Sequence, residues 1–482
     1  MPQRLFLLLA LLFIRLPFFF RDYIDHDEST FIIMGASVAD GYLPYEHLWD
    51  LKSPFLFYVF ALIEYLFPDS FIAIRLFGLI VIYFSALLLM KIADASKLRN
   101  GFLVALGYVI LSSLFGSLQG VMSEHLAVLF ILIVLYFLTH PIGKITPLLL
   151  GFFMGFALLC KLNYAYAALA FFSYLLFVEW KRSTLLQTMG WALLVVAGVI
   201  LPFLLVAVPF VLENKFQLYF DSTFLAPFSY GHAGGHSLLF KLTKTWWIIL
   251  AGIVINFFAW KRWSPGQRIF VHSCILLLLG TIFSFLTSGK VNGHYLIEVY
   301  PFILLLILGI LFRKNYIPSI GLTALVVLLL SFESWKEYLR VGNNIAERST
   351  PFNGKSYLVI DELKKRGIER EPIFFIDYHI SYWLLDQYPL TRSTTHPSNL
   401  GRPYLFKYFG NEHSNTLAEL SFIMEEIQPQ AVVSRKPFVS FLPPEGPENK
   451  FFISFIQTHY NLVVEDSKNG IYIWQRKKES LR

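Results

Sequence analysis

Residues 5–31 read LFLLLALLFIRLPFFFRDYIDHDESTF. The first sixteen of them carry one charge, Arg15, and then Asp25, His26, Asp27 and Glu28 follow in consecutive positions. An apolar run of this kind is close to what a helix needs to cross about 30 Å of hydrocarbon. Its unbroken apolar core, about ten residues, also suits a cleaved signal segment. No small-x-small cleavage motif follows, however, and apolar character resumes past Arg15 as LPFFF, so a retained helix is expected. Three carboxylates and an imidazole then stand at the edge of a membrane.

The rest of the chain repeats the pattern. Its 482 residues are 56% hydrophobic and 15% charged with 49 Phe, and the mean hydropathy is +0.57. Such a composition excludes an ordinary soluble globular protein. Apolar runs at about 5–21, 71–90, 101–118, 125–139, 147–160, 163–179, 188–211, 245–260, 269–287, 295–312 and 316–332 predict an α-helical polytopic membrane protein of about eleven transmembrane helices. The stretch 54–67, PFLFYVFALIEYLF, is short and carries Glu64, which suits an interfacial segment.

Basic residues test the count. With the N-terminus cytoplasmic, Arg4, then Lys91, Lys97 and Arg99, then Lys144, Lys181 and Arg182, Lys261, Arg262 and Arg268, and Arg313 and Lys314 all fall on one side. The opposite loops hold more acids and histidines. This orientation leaves the first loop, residues 22–70, and everything after residue 333 outside the cytoplasm. The net charge of +7 is spread over these short loops, so it argues for membrane lipids and against a nucleic-acid partner. Cys160 and Cys274 lie inside apolar runs far apart and predict no disulfide framework.

From about residue 340 the composition turns soluble. EPIFFIDYHISYWLLD reads as a strand and a short helix, and PQAVVSRK, YNLVVED and GIYIWQRK read as strands. The expected organisation is a membrane domain over 1–335 and a small α/β soluble domain over 340–482.

Charged groups at membrane depth or at its edge are costly and tend to mark function. On the outer side, acids dominate the first two loops, with Asp27, Glu28, Glu46, Asp50 and Glu124. Cations and donors dominate later ones, with Lys161, Asn163, Tyr164, Lys290, Asn292, His294 and Tyr295. A carboxylate that takes a proton from an attacking hydroxyl or amine, beside donors that stabilise a departing phosphate, suits group transfer from a lipid phosphate.

These residues also fall in a family order. Asp27-Glu28, Gly41 to Tyr45 (GYLPY), Lys52 to Pro54 (KSP) before an aromatic run, and Arg75-Leu76 opening the next span resemble the first outer loop of the GT-C glycosyltransferases. The likeness is to the branch of protein O-mannosyltransferases and lipid A aminoarabinose transferases. Ser123-Glu124, GFALLCK ending at Lys161, and GHYLIEVYP continue it, so that it covers about 1–330. The resemblance implies an inverting enzyme of the bacterial inner membrane. It would transfer a sugar from a polyprenyl-phosphate donor to a lipid, glycan or protein acceptor on the extracytoplasmic side. It implies Asp27, with Glu28 beside it, as the catalytic carboxylates. Lys52, Arg75, Lys161, His294 and Tyr295 would lie toward the donor phosphate, and Glu124 and Tyr45 toward the acceptor. It also implies no required cofactor.

Plainer readings stand beside these. Asp25 and Glu28 have capping-box spacing before the helix STFIIMGASVA, which leaves Asp27 unexplained. Asp25-His26-Asp27 is also a D-x-D, so a divalent cation on Asp25 and Asp27 stays open. Lys52 also suits a snorkelling lysine, and Arg75 an internal ion-pair partner. His232 and His236 flank AGG and read as loop, while His272 and Cys274 read as packed core. A lipid-linked sugar transporter would want ionisable groups near mid-membrane, where this chain has almost no acids. A non-catalytic assembly protein would have no need of Asp27, Lys52 and His294 together.

Overall fold

The computed structural model describes residues 3–98, 100–141, 143–232, 265–288, 292–311, 319–410, 413–436 and 442–477, with isolated positions between 239 and 250. The expected span 245–260, apart from Trp246 and Leu250, lies outside the described residues, as do His236 and Lys290. The chain forms two compact units: Met1–Phe19, Arg75–Val208 and Gly234–Leu339 in one, and Phe20–Ile74, Pro209–Ala233 and Arg340–Arg482 in the other.

The first unit holds most of the apolar helices. Among the described residues, Gln3–Phe20, Phe71–Ala95, Leu162–Trp180, Leu185–Leu212 and Gln267–Thr287 are long and apolar enough to cross a membrane. Gly101–Leu111, Ser123–Leu138, Thr146–Cys160 and Ile320–Leu330 are apolar and shorter. Helix Thr146–Cys160 meets helix Leu185–Leu212 at glycines on both sides. A Cβ on Gly151 would stand 2.2 Å from the carbonyl oxygen of Val195, and one on Gly198 would stand 2.2 Å from that of Leu148. Small residues let two apolar helices bring their backbones together where oily side chains give no net drive to associate.

Two expected spans are not straight helices. The run 101–118 stops at Leu111, and a short 3-10 turn, Gly116–Gln119, follows. The buried guanidinium of Arg15 donates to the carbonyls of Leu118 at 2.9 Å and Gly120 at 3.0 Å. Backbone that leaves the helix inside a membrane needs such replacement partners, and this explains the lone charge of the first apolar run. The run 295–312 divides into a 3-10 turn Gly293–Glu298, a short helix Tyr300–Leu304 and a π-turn Leu305–Leu311. Pro301, in the first turn of the middle piece, suits a helix start and not a helix middle.

The second unit begins with a helix His26–Ala39, against which a helix Pro54–Leu66 packs. The latter is the segment expected to be interfacial. Ser53 caps it and Pro54 sits in its first turn, so Lys-Ser-Pro reads as a helix start. Its remaining part is a four-stranded sheet: β1 Ile373–Phe375, β2 Ala431–Ser434, β3 Tyr460–Asp466 and β4 Ile471–Arg476, in the order β1-β2-β4-β3. β1 and β2 run parallel, with Phe374 opposite Val432, and the other pairs are antiparallel. The strands fall where 372–477 reads as strands. Phe374, Leu420, Ile423, Val432, Phe452 and Ile456 fill the core between sheet and helices.

One contact ties the start of this unit to its C-terminal part. Asn353 donates to Phe20 O at 2.8 Å, and Asp22 N–H donates to Asn353 O at 3.0 Å. The buried Asp22 carboxylate accepts the amide of Ser356 at 2.6 Å, and burial pushes its pKa up. Gly354 has φ +136°, a conformation side chains avoid, and a Cβ there would overlap Asp22.

Candidate functional site

Helix His26–Ala39 begins on Asp25, in extended conformation at φ −146° and ψ 152°. Its carboxylate accepts the N–H of Asp27, the second helical residue, at 3.0 Å. Asp27 and Glu28 stand in the first turn, where the free amides of a helix favour negative charge. Glu28 is buried.

Asp27 projects to partners on both oxygens. Lys52 Nζ lies 3.0 Å from Oδ2, and His396 Nε2 lies 3.5 Å from Oδ1. The side chains of Asp27 and Lys52 keep 21% and 24% of their surface, so the pair is reachable from outside. Lys52 is held by its backbone: its N–H donates to Asp50 Oδ2 at 3.3 Å, and its carbonyl accepts the Tyr45 hydroxyl at 2.5 Å. Tyr45 is itself fully buried among Trp49, Phe57 and Phe210. Its hydroxyl supports the lysine and does not face an open surface.

Behind Asp27 lies a group of imidazoles. His26 stacks on His379 with centroids 5.4 Å apart, and His396 lies 6.2 Å from His26 and 6.3 Å from His379. Burial lowers the pKa of His26 to about 3, with the neighbouring His396 and Arg435 adding to it. Burial pushes that of His379 well down too. Both rings are neutral at ordinary pH. Among the described residues no group of three or more His, Cys, Asp or Glu is arranged to hold a metal ion. Asp25 accepts the helix amide and Asp27 pairs with Lys52.

The first unit holds a second charged group. Glu124 opens helix Ser123–Leu138, and Lys161 follows helix Thr146–Cys160 in extended conformation. Lys161 Nζ pairs with Glu124 Oε1 and, at 3.0 Å, with Glu298 Oε1. It also lies over the Tyr295 ring, 3.6 Å from its centroid. His294 Nε2 is 3.7 Å from Glu124 Oε1, and Asn163 Nδ2 donates to Glu298 Oε2 at 3.2 Å. Both glutamates are fully buried and Lys161 keeps 10% of its surface. Lys161 is thus placed between two carboxylates, and Glu124 and His294 belong to the same cluster. Arg75 is buried and donates to Phe18 O at 2.7 Å. His272, inside helix Pro265–Ser288, meets the Tyr174 hydroxyl at 2.9 Å, the packed polar group expected there.

The sequence reading passed over His379 and His396. A signal existed for the first: it lies four residues beyond β1, at the carboxyl end of a parallel strand, where open α/β sheets place ligands. His396, in STTHPS, had none.

Comparisons agree with this architecture. Residues 51–207 match the family model described as dolichyl-phosphate-mannose-protein mannosyltransferase. Two solved structures share the fold. ArnT from Cupriavidus metallidurans bound to undecaprenyl phosphate superposes with a TM-score of 0.58 at 14% identity, covering 98% of each chain. The same protein in the apo state gives 0.52 at 15% identity, covering 98% of this chain and 97% of that one. No curated protein matches the chain in sequence.

Proposed function

We propose that this chain, a multi-pass membrane protein of the GT-C glycosyltransferase superfamily, transfers a sugar from a polyprenyl-phosphate donor to an acceptor outside the cytoplasm. One observation carries the reading: a reachable carboxylate, Asp27, on a helix N-terminus, paired with a lysine at 3.0 Å. The acceptor hydroxyl or amine gives its proton to Asp27 as its heteroatom attacks the anomeric carbon. The carbon–oxygen bond to the phosphate breaks, and the polyprenyl phosphate leaves with the electron pair. Lys52 supplies positive charge to that departing anion. A single displacement inverts the anomeric centre, and one carboxylate is enough. That a similar fold binds undecaprenyl phosphate supports the choice of donor.

Within this reading, Lys161, His294 and Tyr295 form the polar group of the membrane unit on the donor side. Glu124 holds Lys161 in place, and Arg75 holds the first helix through Phe18. Residues 1–335 would be the transferase domain and 340–482 an extracytoplasmic domain of a bacterial inner-membrane protein. The acceptor is a lipid, an envelope glycan or a protein hydroxyl. No cofactor enters the scheme.

The test uses the purified full chain with undecaprenyl-phosphate donors carrying a neutral hexose, a uronic acid and an aminopentose, and native membranes as acceptor. Asp27→Asn should reduce transfer about a thousandfold, within the usual range for a general base, and Glu28→Gln much less. Undiminished transfer by Asp27→Asn would remove the assignment. Loss of parent activity on adding a chelator would restore the metal reading of Asp25 and Asp27. A reporter fused after residue 340 should score outside the cytoplasm.

A further inference from the structure

Asp27 has a second neighbour that the transfer scheme leaves idle. His396 Nε2 faces Oδ1 at 3.5 Å, while Lys52 takes Oδ2. On the far side of the ring, Nδ1 accepts the backbone N–H of Ser398 at 3.1 Å and lies 2.7 Å from the Ser398 hydroxyl. A backbone N–H can only donate, so Nδ1 bears no hydrogen, and the neutral ring carries its proton on Nε2, toward Asp27. Both residues are buried, at 7% and 9% exposure, which keeps water from competing for the ring.

A second imidazole from the same part of the chain grips the turn itself. The Thr30 hydroxyl gives its one hydrogen to His26 O at 2.9 Å, so its 3.2 Å contact with His379 Nε2 makes that nitrogen the donor. The segment after β1 therefore holds the first turn of helix His26–Ala39 at two points. One point is the Thr30 hydroxyl, the other the reactive carboxylate.

We infer that His396 is a positioning residue for Asp27, oriented by Ser398 and fixing the carboxylate between an imidazole N–H and the Lys52 ammonium. This rests on the reading of Asp27 as base. His396 keeps its own proton throughout; the acceptor proton goes to Asp27. Its contribution is to hold one carboxylate rotamer, so that the acceptor meets a base already aimed. The 3.5 Å separation is of the kind that shortens once substrate fills a site.

The experiment measures transfer from the undecaprenyl-phosphate sugar that the parent uses best, with kcat and donor KM separated, on full-length variants. His396→Ala should lower kcat about 10–100-fold, the range seen when a group orienting a functional side chain is removed. The donor KM should stay within about twofold of the parent, a split that general loosening of the fold would not give. His396→Gln, which retains an N–H near the Nε2 position, should recover most of the rate. In an Asp27→Asn background, His396→Ala should cost nothing more, because residues acting as a unit are not additive. Parent-like kcat in His396→Ala with Asp27→Asn inactive would overturn the inference and leave the function reading intact. Parent-like transfer by Asp27→Asn would remove both. If His396→Ala does not fold, His396→Phe decides, since it keeps a ring in the same space and removes the N–H that faces Asp27. A loss of about threefold or more upholds the inference, and an unchanged kcat overturns it.

Discussion

Each unit sets a lysine against carboxylates, and the two do so under opposite conditions. Around Lys52, the lysine and Asp27 keep about a fifth to a quarter of their surface. Around Lys161, Glu124 and Glu298 are sealed and the lysine nearly so. A pair near water gains little from its attraction and gives it up cheaply, so either member is free to exchange partners with a substrate. A sealed group pays heavily for desolvation and depends on every partner staying in place. The comparison separates groups suited to react from groups suited to hold others still.

Replacing each lysine by an apolar residue of similar length is the sharpest test of that contrast. Lys161→Met should cost about 3–5 kcal/mol in stability, because it strands two buried carboxylates. Adding Glu124→Gln and Glu298→Gln should return most of it, and thermal unfolding in detergent reads both. Lys52→Met should change stability by less than about 1 kcal/mol while lowering transfer from polyprenyl-phosphate donors. Equal losses of stability in the two lysine variants would break the comparison.

Next in size is the glycine crossing of the membrane unit. Gly198→Leu should destabilise by about 1–3 kcal/mol, since the side chain would meet the backbone of the neighbouring helix at Leu148 and Phe152. Gly190→Leu, with nothing within 4 Å of its Cβ, should be silent in the same assay.

A further expected effect is on pH, and it bears on the imidazoles beside the exposed pair. His26 and His379 stay neutral when folded, with their pKa values lowered by burial, that of His26 to about 3. Below the ordinary imidazole value near 6.5, the unfolded chain takes up protons that these rings refuse. Stability is therefore complete above about pH 6.5 and falls as pH drops toward 3. The loss is at most about 1.4 kcal/mol per pH unit for each ring. Melting temperatures at pH 7.5 and 5.0 measure it, and His26→Phe should flatten the difference.

How much of this was legible in the residues follows from the range of the forces involved. The apolar runs and the strands of 372–477 rest on neighbours a few positions away, and they read directly. The Arg15 charge inside an apolar run was visible, but its carbonyl partners lie about a hundred residues further on. The break of 295–312 was signalled by Pro301 and was read through. At the site, Asp27 stood out because capping did not require it, and its pairing with Lys52 spans only 25 positions. His379 and His396 meet helix His26–Ala39 across about 350 residues, and no periodicity or spacing encodes such a contact. Glu298 was visible as an acid in an outer loop, yet nothing local shows that it shares Lys161 with Glu124.

The grip of residues 353–398 on residues 20–30 has a consequence for biosynthesis. Asp27 is made more than three hundred residues before Asn353, His379 and His396. For most of translation and membrane insertion, the N-terminal turn exists without the groups that align it. A nascent or truncated chain that lacks residues 353–398 thus carries the Asp27 carboxylate without the imidazole that faces it. The chain is timed as well as shaped.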